Sequence, residues 1–135
     1  MDDLPSRVMR VEPVKVAEFV RALGLDPEPG YAAVEGAPVP PGYLTYAASY
    51  DPTAIHTRLG FDPRRTLYAG LELDILEVPL VGDVLEVRPR VGPPRTAEGH
   101  SGPLRLVEVE VEYHRAGRLI MRERSTVVER GTARA

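Results

Sequence analysis

Residues 104–128, LRLVEVEVEYHRAGRLIMRERSTVV, decide the fold. From Val107 to Tyr113 valine and tyrosine alternate with glutamate, so one face is apolar and the other acidic. A period of two is the signature of a half-buried strand. A second such run follows over 119–128, and Arg115-Ala116-Gly117 separates the two. The pair therefore predicts an antiparallel hairpin. A two-residue loop would set Val111 against Arg122 and Val109 against Arg124. A three-residue loop over 115–117 instead sets Tyr113 against Leu119 and Val111 against Met121. It also faces Glu110 with Arg122 and Glu108 with Arg124, and it puts Gly117 where a left-handed residue is wanted. The three-residue loop is the register expected here. Its charged ladder is expected to be a solvated outer face, each pair contributing little.

Two more strands precede the hairpin. Residues 84–91, VLEVRPRV, carry Leu85, Val87 and Val91 on one side and Glu86, Arg88 and Arg90 on the other. Residues 67–80, LYAGLELDILEVPL, alternate at Leu71, Leu73 and Ile75 and end near Pro79. Between these runs Gly82-Asp83 marks a turn, with glycine supplying a positive φ. Residues 92–103 hold the glycines and prolines of a loop, and His100 there and His114 near the hairpin turn are expected on the surface.

The N-terminal half has a different texture. Residues 14–23 space Val16, Phe19, Val20 and Leu23 as a helix does, with Pro13 suited to the first turn and Gly24 to the stop. Residues 26–44 are too rich in proline and glycine for a regular element, apart from a short extended piece at 31–34. Residues 43–59 predict a helix in two parts, broken at Pro52 and ended at Gly60. One-sided strands need a cover for their apolar face, and this helix is the natural one. The expected architecture is α+β: a hot-dog fold, in which a curled antiparallel sheet wraps a central helix.

The totals agree with one domain over 1–135, its core about 13–130 and its last residues a frayed tail. Apolar residues are 43% of the chain and charged residues 27%, the composition of a globular protein. A net charge of −3 without a basic cluster argues against nucleic acid as a partner. The absence of cysteine excludes disulfides and thiolate chemistry. The histidines at 56, 100 and 114 have no metal-ligand spacing, so neither a metal nor another cofactor is expected. No apolar run is long enough for a membrane span and no leader pattern opens the chain, which points to a cytoplasmic protein.

Four landmarks in order carry a resemblance over roughly residues 13–130: VAEFVRALG, GAPVPPGYLTYAA, LGFDPRRTLYAGLELDILEVPLVGDVLEVRPRV and LVEVEVEYHRAGRLIMRERSTVVER. Together they resemble the N-terminal-type (FAS1-like) hot-dog domain of MaoC-like dehydratases, including small subunits of heterodimeric (3R)-hydroxyacyl-ACP dehydratases. The best single motif is Pro79-Leu80-Val81-Gly82-Asp83. The resemblance implies acyl thioesters of CoA or acyl carrier protein as ligands. It also implies a homodimer, or a heterodimer with another hot-dog subunit, and hydratase or dehydratase chemistry. Such domains often carry His-Gly-x-Gln where this chain has Ala69-Gly70-Leu71-Glu72.

The candidate site residues follow from that chemistry, which needs a base for the α-proton, an acid for the leaving hydroxyl and donors to the thioester oxygen. Asp51 and His56, in YDPTAIH (50–56), are the catalytic candidates. They match only the ends of the D-x-N-P-x-H pattern of catalytic members and follow the central helix instead of preceding it. Asp51 also suits an N-cap and Pro52 a first helical residue. Tyr43, Tyr46 and Tyr50, spaced along one helical side, serve either packing or an acyl pocket. Glu72, on the face opposite Leu71 and Leu73, is the candidate pocket carboxylate.

Overall fold

The computed structural model describes residues 1–25, 33–47 and 58–131. Two short strands, β1 (Asp2–Asp3) and β2 (Arg7–Arg10), precede helix α1 (Pro13–Ala22). Helix α2 begins at Tyr43 and is described to Ala47. A 3-10 turn, Pro63–Arg65, leads into β3 (Thr66–Ile75), followed by β4 (Val84–Val91), β5 (Arg95–Gly99), β6 (Gly102–Arg115) and β7 (Arg118–Arg130).

The strands form one antiparallel sheet in the order β1-β4-β6-β7-β3. β1 and β2 both pair with β4, and β5 continues the line of β4 along β6. The order follows from the alternation: Leu85, Val87, Val107, Val109, Val111, Tyr113, Met121 and Val127 all turn to one face and are buried. Val16 and Val20 of α1 and Tyr43 and Leu44 of α2 join the same core. The expected α+β arrangement, a helix against one face of an antiparallel sheet, is therefore present.

The hairpin differs from expectation in register. Its turn has two residues, Ala116 and Gly117, both with positive φ (50° and 78°), the hairpin geometry that matches strand twist. Arg115 pairs with Arg118, and a bulge between Tyr113 and His114 then shifts the ladder by one. Tyr113 thus meets Met121, and Val111 meets Glu123. Neither loop length with an unbroken ladder reproduces this. The bulge lets the two-residue turn coexist with apolar residues on a single face.

Three other expectations change. Residues 95–99 form a strand where a loop was expected. The charged face is denser than a solvated fringe: Glu110 is buried among Arg124 (3.1 Å), Arg90 (3.7 Å) and Arg122 (4.0 Å). His114 is buried rather than on the surface, its Nε2 3.0 Å from Glu112 Oε1. His100 is exposed, as expected.

The Gly82-Asp83 turn forms as expected. Gly82 has φ 93° and a Cβ there would run into the Glu35 carboxylate. Asp83 accepts from the Leu80 N–H at 2.9 Å and from Arg115 Nη1 at 2.6 Å. The proline-rich segment is held against this turn by Val39 N–H to Pro79 O and Val81 N–H to Ala37 O.

Candidate functional site

The start of α2 is built by its neighbours. Gly42 takes φ 87°, letting the chain turn from Pro40-Pro41 into the helix at Tyr43. Phe19 of α1 then packs on both aromatic residues of α2. Its ring lies 5.7 Å from Tyr43 in an edge-on contact and 5.4 Å from Tyr46. Tyr43 is buried, whereas Tyr46 is exposed.

A cleft of about 320 Å³ opens beside these rings, lined by Met9, Arg10, Lys15, Tyr43, Tyr46 and Ala47. Its body is aromatic and its rim is cationic. Arg10 is held by Glu35 at 2.7 Å and Lys15 lies 3.6 Å from Glu18. Burial raises the Tyr43 hydroxyl above its ordinary pKa, and Tyr46, Glu12 and Glu18 push the same way. Tyr43 therefore stays a neutral phenol here.

The structure brings Tyr43 and Tyr46 together and separates them from Glu72. Glu72 pairs in register with Arg124, on the sheet face away from α2. It borders a depression of about 290 Å³ with Gly70, Leu71, Glu108, Arg124 and Thr126. Asp51, His56 and Tyr50 lie outside the described residues. Among the described residues no group of His, Cys, Asp and Glu could hold a metal ion.

Two buried glutamates, both missed by sequence reading, lie on β7. Glu123 faces α2, accepting from the Tyr113 hydroxyl at 2.9 Å and from the Thr45 hydroxyl. Burial raises its carboxyl above the ordinary range, and the two hydroxyls only partly oppose this. Glu129, six positions along β7, is surrounded differently. It accepts from Arg105 Nη2 at 2.6 Å and from the Asp62 backbone N–H, with Arg65 at 3.8 Å. Burial works against its charge, yet the Asp62 N–H and Arg105 outweigh it and hold the carboxyl below the ordinary range. Arg105 also donates to Gly60 O at 2.9 Å and lies 4.6 Å over the Phe61 ring. The signal for Glu123 was its place in the alternation, on the face of Met121 and Val127.

The outer edge of the sheet is the last part of the site. β3 pairs with β7 on one side, and among the described residues no strand pairs with its other side. Leu71 and Ile75 share the face of the buried Ser125 and Met121, yet they are 50% and 43% exposed. Leu67, Leu76 and Val78 are exposed nearby.

Residues 6–123 match the family described as FAS1-like, dehydratase domain region. No curated protein sequence is detectably similar. Among solved structures, a chain of the C-terminally truncated HadBC (3R-hydroxyacyl-ACP dehydratase) complex of Mycobacterium tuberculosis aligns with a TM-score of 0.71 at 18% identity. The alignment covers 93% of this chain and 92% of that one. A chain of the ChsH1-ChsH2 complex of the same organism aligns at 0.70 and 13% identity, covering 97% and 87%. HtdX, also from M. tuberculosis, aligns at 0.61 and 19% identity, covering 98% of this chain and 49% of its own. At these identities the structures establish the fold, which is the expected hot-dog. Among the described residues no helix is long and apolar enough to cross a membrane.

Proposed function

Because the chain belongs to the FAS1-like dehydratase domain family, we propose that it is the tunnel-forming hot-dog subunit of a hydratase or dehydratase acting on acyl thioesters of CoA or acyl carrier protein. The observation that carries this reading is the edge of β3. A ten-residue strand with no neighbour on one side among the described residues, and with Leu71 and Ile75 bare on its helix side, is a surface that soluble proteins cover. A second hot-dog subunit adding a strand there would bury it and enclose an apolar passage beside α2. The HadBC and ChsH1-ChsH2 complexes support a two-chain assembly by analogy of fold.

The Tyr43 and Tyr46 cleft is then the wall for the acyl-pantetheine arm, its phenols supplying contact area and hydrogen bonding. Water addition or removal needs an acid/base pair in reach of two adjacent carbons. The described groups lining the cleft are two phenols, a guanidinium and an ammonium, which suit binding better than proton abstraction. The pair must come from Asp51 and His56 or from the partner subunit.

Crotonyl-CoA hydration separates these cases. Activity of the purified chain, abolished by His56→Ala, would assign the chemistry to this chain. Activity only with a co-expressed catalytic hot-dog protein would assign it to the partner. Binding of acyl-CoA without turnover in either state would overturn the enzymatic reading in favour of an acyl-binding module.

A further inference from the structure

The proposed reaction leaves Glu123 without a role, although this carboxyl is 5% exposed and faces the helix that builds the cleft. Its Oε1 accepts from the Tyr113 hydroxyl at 2.9 Å and its Oε2 from the Thr45 hydroxyl at 2.5 Å. The Tyr113 hydroxyl also reaches the Leu44 carbonyl at 3.4 Å. One carboxyl thus ties β7, β6 and α2 together at the first turn of the helix.

Among the described residues, its surroundings on that face carry no countercharge. Val111 and Leu73 flank it across the ladder, and Met121 and Ser125 precede and follow it along β7. The titratable group facing it from β6 is Tyr113, and α2 presents Thr45 and the apolar Leu44. Glu129 on the same strand is an internal comparison. It is equally buried, but Arg105 and a backbone N–H hold its charge. Among the described residues Glu123 has two neutral donors, which do not replace the hydration a buried carboxylate loses.

We propose that Glu123 is the positioning residue of the cleft: it latches Thr45, and with it the first turn of α2, onto the sheet. Thr45 lies between Tyr43 and Tyr46 in the helix, so its seat sets the seat of both rings. The inference concerns the cleft itself and does not depend on the reaction assigned to it. Burial raises the carboxyl in the folded chain alone. The folded protein therefore holds an extra proton from the ordinary glutamate range up to the raised value. Stability falls as pH rises through that window, and the loss is complete above it.

Carboxyl ¹³C NMR on the full chain tests this. The glutamate resonance absent from Glu123→Gln identifies the group; should that variant not fold, the resonance shifted in both Thr45→Val and Tyr113→Phe does so. Its midpoint is expected above the ordinary glutamate range. Thr45→Val should move it higher still, because Thr45 favours the charged form. At one pH, amide exchange at 43–47 should be about tenfold faster in Thr45→Val than in the natural chain. A midpoint in the ordinary range overturns the proposal. So does amide exchange at 43–47 that Thr45→Val leaves unchanged.

Discussion

Arg105 grips Glu129 through two nitrogens at once, Nη2 at 2.6 Å and Nε at 2.9 Å, both on Oε1. Oε2 is left for the Asp62 N–H. This pair fastens the chain at Gly60 and Asp62 to the far end of β7. Arg105→Ala strands a buried carboxylate and also removes the contact over Phe61. Urea denaturation should show about 2–4 kcal/mol less stability.

The same carboxylate predicts the response to acid. Glu129 is held below its ordinary value of 4.5 by the Asp62 N–H and Arg105, against the opposing effect of burial. Its stabilisation is therefore present above 4.5 and is lost as pH falls through the lower folded value. Asp62, held at about 2 chiefly by Arg64, extends the loss to lower pH. Thermal melts between pH 6 and pH 3 should fall less steeply for Glu129→Gln than for the natural chain, from a lower starting point.

Gly82→Ala tests the turn that joins the proline-rich segment to β4. A side chain must adopt φ 93° there and displace the Glu35 carboxylate, which also holds Arg10 at 2.7 Å. The expected cost is about 1–3 kcal/mol in calorimetry.

Tyr46 separates binding from folding. It is exposed and lines the cleft. Tyr46→Ala should cost less than about 1 kcal/mol of stability. It should weaken acyl-thioester binding about tenfold, the loss of one aromatic contact. Equal affinity by titration calorimetry would remove Tyr46 from the site.

The β3 edge gives an assembly prediction. Leu71→Lys with Ile75→Lys places charges where a partner strand would dock, on side chains that are already half exposed. Sedimentation should show loss of the complex with a second hot-dog subunit. The isolated chain should keep its stability to within about 1 kcal/mol.

What was legible in the sequence was whatever alternates across a buried face. Val84–Val91 and the two hairpin strands do so, and their inward residues were evident in advance. β5 buries almost nothing along 95–99, so its composition reads as loop. The hairpin register escaped because a bulge at Tyr113/His114 shifts pairing by one residue without changing composition. Glu72 on the face opposite Leu71 was readable from alternation, but its distance from the Tyr43 and Tyr46 cleft was not. Glu123 and Glu129 show the limit most plainly. Both are glutamates on one strand, and their opposite behaviour depends on Thr45, Tyr113, Asp62 and Arg105, which only the fold brings to them.

Glu123 and Glu129 also stand six positions apart on a single strand, roughly 20 Å at strand spacing. One fastens the chain at Thr45 and the other at Asp62. β7 is thus a beam with two posts, and a substitution at one glutamate loosens the chain there and leaves the other fastening whole.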